Sequence, residues 1–143
     1  MANPVILVYS SNAQTRAALV AAIGRRPAAD VGRVDFLECS TLPEVLLAVD
    51  SQAADLLVLD GEAQPVGGIG ICRQLHQELP DDIVVPPVML LVGRAADRWL
   101  ATWARADEVL LSPPDPVTAA EAAATLLRRL GSEQAPVAAE LTG

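Results

Sequence analysis

Five short apolar runs, separated by stretches of helical periodicity, constrain this chain more than any other feature. Val5-Ile6-Leu7-Val8-Tyr9 is apolar at every position, as a strand covered on both faces requires. Residues 86–92 and 109–111 repeat the pattern, residues 55–60 do so between two aspartates, and residues 34–39, which include Asp35 and Glu38, read as a second strand. Between the first two runs, Ser11-Asn12-Ala13-Gln14 has capping-box spacing, which assigns Ser11 as the helix cap ahead of a face of Ala17, Val20, Ala21 and Ile23. Thr41-Leu42-Pro43-Glu44 opens a second helix in the same way, with Val45, Leu46 and Val49 inward. Ile71, Leu75 and Leu79 mark a third helix, and residues 95–104 a short fourth one carrying Trp99 and Trp103. Asp115 caps the last, with Pro116 in its first turn and Val117, Ala120, Ala124 and Leu127 as its buried stripe. From Gly131 the sequence turns small, polar and proline-containing, the composition of a loose tail.

Five strands alternating with five helices imply an α/β fold with helices on both faces of a parallel sheet. Right-handed crossovers leave few topologies, and the flavodoxin-like doubly wound (βα)5 order 2-1-3-4-5 is the one expected at this size. Strand three is then central. Asp60, closing the run Leu56-Leu57-Val58-Leu59-Asp60, stands at the carboxyl rim where such sheets place their chemistry. The division expected is a single domain over residues 1–131 and a tail over 132–143, with no effector domain.

The apolar fraction is 52%, yet only Tyr9, Phe36, Trp99 and Trp103 are aromatic, so the core is aliphatic. With 18 acidic against 10 basic residues the net charge is −8, which argues against nucleic acid, whose phosphates require local positive charge. All the basic residues are arginine; any mechanism that needs a lysine beside Asp60 is excluded. Cys39 and Cys72 lie in apolar segments without CxxC spacing and read as buried hydrophobes in a reducing compartment. No stretch has the length of a membrane span or the make-up of a signal segment, so a cytoplasmic protein is expected. His76, the lone histidine, falls on a polar helix face and is expected to be solvated; it gives no transition-metal site. Gly67-Gly68-Ile69-Gly70 follows strand three and lacks the third glycine of a dinucleotide fingerprint, so a flexible turn is expected.

Over residues 4–130 the chain resembles a response-regulator receiver domain. The resemblance is carried by Val58-Leu59-Asp60, a proline and glycine in the loop that follows, Cys72-Arg73-Gln74-Leu75 at the start of helix three, Pro87-Val88-Met89-Leu90-Leu91, and Ala106-Asp107-Glu108-Val109-Leu110 followed by Ser112-Pro113. It places Asp60 on the family's phosphoacceptor. It also marks departures: Ser10 and Ser11 stand where two acidic residues are usual, Val92 where a threonine or serine contacts the phosphoryl group, Ser112 where a lysine precedes the proline, and Val109 where an aromatic switch residue sits.

The resemblance implies Mg²⁺ held by the acidic pair and the aspartate; with serines in that pair, binding is expected to be weak or absent and no cofactor is assigned. Two serines also remove carboxylate repulsion, so the pocket can close without a cation. Asp60 is then expected to be a remnant hydrogen-bonded by Ser10, Ser11 or loop amides. The expectation is a degenerate, stand-alone receiver, not an enzyme, acting by phosphorylation-independent protein contact. The alternative is a single-domain response regulator still phosphorylated on Asp60. Trp99 and Trp103, four residues apart, share one side of the fourth helix. By the family's pattern Trp99 points inward and Trp103 outward, making the face of helix four, strand five and helix five the expected surface for a protein partner or a homodimer. The partner itself is not legible in the chain.

Overall fold

A computed structural model describes residues 3–80 and 82–142, with the backbone alone for Glu78 and residues 131–142. The strands are β1 (Val5–Tyr9), β2 (Asp35–Cys39), β3 (Leu56–Asp60), β4 (Val88–Val92) and β5 (Glu108–Leu111). The helices are α1 (Ala13–Ile23), α2 (Leu42–Asp50), α3 (Gly68–Glu78), α4 (Arg98–Trp103) and α5 (Pro116–Thr142), with a 3-10 turn at Ala95–Asp97 leading into α4. The strands form one parallel sheet in the order β2-β1-β3-β4-β5, as the alternation of runs implies. Among the described residues no helix is long and apolar enough to cross a membrane.

Because successive strand residues point to opposite faces, the unbroken apolar runs feed two cores at once. Leu7, Tyr9, Leu57, Leu59, Val88, Leu90 and Val92 face α2, α3 and α4. Ile6, Val8, Leu56, Val58, Met89 and Leu91 face α1 and α5. Every residue of β3 and β4 is buried, each large aliphatic contributing about 1.5–3 kcal/mol. Both cysteines are free and buried in the first of these cores.

Two helix faces differ from the sequence expectation. The buried side of α1 is Leu19, Ala22 and Ile23, while Ala17 and Ala21 are exposed. On α5 the stripe is Ala119, Ala123, Leu126 and Leu127 with Ala124; Val117 lies 66% exposed. Both helices are alanine-rich, so several faces carry similar hydropathy and the packing partner, not the pattern, selects among them. The helix also continues to Thr142, through the stretch assigned to a loose tail. Ala, Glu and Leu there are strong helix formers and outweigh Gly131 and Pro136.

Capping settles three starts. Asn12, not Ser11, caps α1: its side chain accepts from the amides of Gln14 at 2.8 Å and Thr15 at 3.4 Å. Thr41 Oγ1 accepts from Glu44 N at 3.4 Å, and Glu44 Oε1 reaches back to Ser40 N and to both hydroxyls. Asp115 accepts from Thr118 N and Oγ1, fixing the start of α5.

Candidate functional site

The carboxyl ends of β1, β3, β4 and β5 converge on one rim, and parallel register fixes who meets whom. Tyr9 pairs with Leu59, Asp60 with Leu91, and Val92 with Leu111. Asp60 is 6% exposed and Ser10 fully buried, the two buried polar side chains among the described residues. Ser10 Oγ donates to Asp60 Oδ2 at 2.8 Å. It must be the donor, since an ionised carboxylate only accepts. The same Oγ accepts the amide of Asn12 at 3.0 Å, and the amide of Glu62 donates to Asp60 Oδ1 at 2.9 Å. Each carboxylate oxygen therefore holds a donor supplied by this chain.

The loops around the pair are tied across the rim. Ser11, exposed, is not a cap: its hydroxyl accepts the amide of Gln64 at 3.1 Å and so joins the β1–α1 loop to the β3–α3 loop. Tyr9 OH donates to the carbonyl of Val66 from a fully buried ring. Burial, and then the charge of Asp60, push that phenol's pKa up, keeping it a neutral donor. Arg16 donates to the carbonyl of Ser10 at 2.7 Å and pairs with Glu38. Glu62 turns away from Asp60, accepting the amide of Gly93 beyond β4 at 3.2 Å.

Glycines between the end of β3 and the first turn of α3 serve close approach. A Cβ on Gly61 would lie 2.6 Å from the carbonyl oxygen of Leu91, and one on Gly68 would lie 2.7 Å from Cβ of Leu59. Gly67 caps α3 with φ of −78°, an ordinary value. The segment Gly67-Gly68-Ile69-Gly70, expected to be a flexible turn, is instead the cap and first turn of α3.

Of the remaining sequence-derived positions, Val92 is fully buried with only methyl groups to offer the rim. Ser112 is exposed and bonded through its amide to the carbonyl of Val92 at 2.9 Å; Val109 is half-buried in β5. Oxygen ligands at this rim come from one carboxylate and serine hydroxyls, and among the described residues no three His, Cys, Asp or Glu side chains converge on a common point. Tyr9 and Arg16 were missed by sequence reasoning, because a hydrogen bond to a carbonyl leaves no motif; the loop amide expected on Asp60 is that of Glu62.

Trp99 and Trp103 lie away from this rim. Trp99, expected inward, is 64% exposed and Trp103 47%. The guanidinium of Arg73, from α3, sits 3.9 Å above the Trp103 ring and donates to the Trp103 carbonyl at 3.0 Å. Cys72 Sγ donates to the carbonyl of Ala104, and His76 Nε2 to that of Arg105 at 3.0 Å. His76 is therefore half-buried against α4 and not simply solvated. Burial, and then Arg105, push its pKa down, with Asp107 opposing.

No family model matches the chain. Two proteins of Mycobacterium tuberculosis, from strains CDC 1551 and H37Rv and each named an uncharacterized response regulatory protein, are 42% identical to it over 123 residues, covering 86% of this chain and 90% of each relative. The chain belongs to the response-regulator receiver family. Solved receivers share its fold. The Francisella response regulator 1452 receiver domain superposes with a TM-score of 0.72 at 16% identity, covering 90% of this chain and 99% of that one. A CheY-like receiver of Methanospirillum hungatei gives 0.70 at 13%, covering 92% and 99%. The protein is a receiver domain of two-component signalling in which Ser10, rather than an acid, meets the aspartate at the end of β3.

Proposed function

We propose that this receiver works without phosphorylation of Asp60, as a metal-free protein-interaction module and not an enzyme. The observation that carries the reading is the Ser10 hydroxyl donating to Asp60 Oδ2 while the Glu62 amide holds Oδ1. A proton pointed at the carboxylate does what a cation does in a three-carboxylate site: it stabilises the negative charge where it stands. Mg²⁺ prefers near-octahedral oxygen ligation with carboxylates, and this rim offers it one carboxylate already engaged by two donors. The donor set does not fit the ion.

Phosphoryl transfer depends on positioning and on stabilising charge over three equatorial oxygens. Val92 supplies no hydroxyl to them and Ser112 no ammonium. Loss of one such donor costs about 2–4 kcal/mol where measured in oxyanion holes, or roughly 30- to 1000-fold in rate. Val109 has no ring to swing in response. Output therefore comes from a standing surface, and exposed Trp99 and Trp103 supply it, shared by α3 and α4 as well as by the α4–β5–α5 side. A homodimer or a heterologous protein contact both fit that surface.

A second reading keeps Asp60 as a phosphoacceptor served by a dedicated kinase. It is favoured by the carboxylate itself, which retains unused lone pairs at the rim. Amide spectra recorded through a millimolar Mg²⁺ titration separate the two. The metal-free reading expects no saturable shift at Asn12 or Glu62, whose amides lie on Ser10 and Asp60; a saturable shift at both supports the second reading.

A further inference from the structure

Resting on the interaction-module reading, we infer that the α3–α4 surface docks an acidic, apolar-bearing segment of a partner protein. The chain carries a net charge of −8, yet four of its ten arginines, Arg73, Arg94, Arg98 and Arg105, surround α4. The acids nearby are engaged: Asp97 pairs with Arg94, and Asp107 with Arg129 while also accepting the amide of Val88. Among the described residues no carboxylate pairs with Arg73, Arg98 or Arg105. Arg98 and Arg105 are exposed beside the two exposed tryptophans. Indole faces cover apolar side chains and guanidinium groups take carboxylates in a planar fork, so the surface matches an acidic partner bearing apolar residues. A second copy of this chain, itself at −8, meets long-range repulsion before it meets this face.

A backbone feature points the same way. Arg105 has φ of 64° and ends α4: its amide bonds to the carbonyl of Thr102, and the amide of Ala106 to that of Ala101. This is a Schellman ending, whose left-handed residue is usually glycine because a Cβ there costs free energy. The left-handed Arg105, exposed and with its carbonyl fixed by His76, carries a guanidinium where a glycine would cost less. Gln52, with φ of 56° at the end of α2, has the same conformation and provides the control.

The test uses the full chain and an array of acidic twelve-residue peptides with varied apolar positions, each with a lysine counterpart. Trp99 and Trp103 are the only tryptophans, so their emission reports this surface directly. The inference expects acidic peptides to shift the emission saturably and their lysine counterparts not to. Trp99→Ala should weaken binding about tenfold, and Arg98→Gln about two- to fivefold. Arg105→Gly should raise the melting temperature by about 3–6 °C yet weaken binding, whereas Gln52→Gly should raise it without changing binding. No acidic peptide shifting the emission, equal shifts from lysine peptides, or unchanged binding in Arg105→Gly overturns the inference. So does a concentration-dependent dimer abolished by Arg98→Glu, which makes a second copy the occupant. Each of these results leaves the metal-free reading of Asp60 standing, because that reading falls only with a phosphoryl adduct or Mg²⁺ binding.

Discussion

Ser10→Ala removes one oxygen and no carbon, so its effect isolates the hydrogen bonds at the rim. Two are lost: the 2.8 Å bond to Asp60 Oδ2 and the 3.0 Å bond accepted from Asn12 N. A hydrogen bond to a charged group contributes about 1.5–3 kcal/mol and a neutral one about 0.5–1.5 kcal/mol. Ser10 is fully buried and Asp60 6% exposed, so water gains little access to replace either partner. The expected loss is about 2–4 kcal/mol, or a fall in melting temperature of roughly 6–12 °C for a domain of this size. Urea unfolding of wild type, Ser10→Ala, Asp60→Ala and the double variant forms a cycle. It should return a coupling of about 1–2 kcal/mol between the two side chains. A Ser10→Ala cost below about 0.5 kcal/mol, the range of ordinary surface changes, would refute the claim that this hydroxyl holds the carboxylate.

Other outcomes follow from the same geometry. Ser10→Asp puts a second carboxylate against Asp60; it should destabilise the apo protein by about 1–4 kcal/mol at neutral pH and make the melting temperature rise with Mg²⁺, as differential scanning fluorimetry would show. Burial pushes the Cys72 thiol up to about 12 and Cys39 to about 11, with Asp107 and Glu44 adding to the effect and Arg16 opposing it at Cys39. Native-state alkylation of both at pH 8 should therefore run about a hundredfold or more slower than in the unfolded chain. Because the folded pKa of His76 lies below its ordinary 6.5, the unfolded state binds the extra proton first; stability from this group is full above that value and declines as pH falls below it, and His76→Gln should remove that part of the slope in urea midpoints measured against pH.

The fold was legible because its inner strands are apolar runs between helical stretches: Leu56-Leu57-Val58-Leu59 has no polar face to leave in water, as a covered parallel strand requires. Helix existence was legible too, from Asp115 and the Thr41–Glu44 box. Which face of α1 and α5 packs was not, since alanine is tolerated inside and out and only the neighbouring surface decides. Ser11 and Asn12 show the limit of local patterns. Both are good caps, but Ser11 is drawn to Gln64, fifty-three residues away in sequence, which leaves Asn12 to close the helix.

At the site, Asp60 was legible as a carboxylate ending a buried strand, and Ser10 as one of its candidate donors. A loop amide was expected as well, but not which one, because backbone donors belong to every residue and only loop geometry aims that of Glu62. The exposure of Trp99 was misread for a related reason. The short α4 is held to α3 through its C-terminal carbonyls by Arg73, Cys72 and His76, and that attachment leaves the Trp99 side outward.

The central claim is that the Ser10–Asp60 pair has taken the place of a metal-assisted phosphorylation site. Intact-mass spectrometry after incubation with Mg²⁺ and acetyl phosphate, alongside Asp60→Asn, tests it most directly. The metal-free account predicts an unmodified mass for both proteins; a phosphoryl adduct on the wild type that is absent from Asp60→Asn would contradict it.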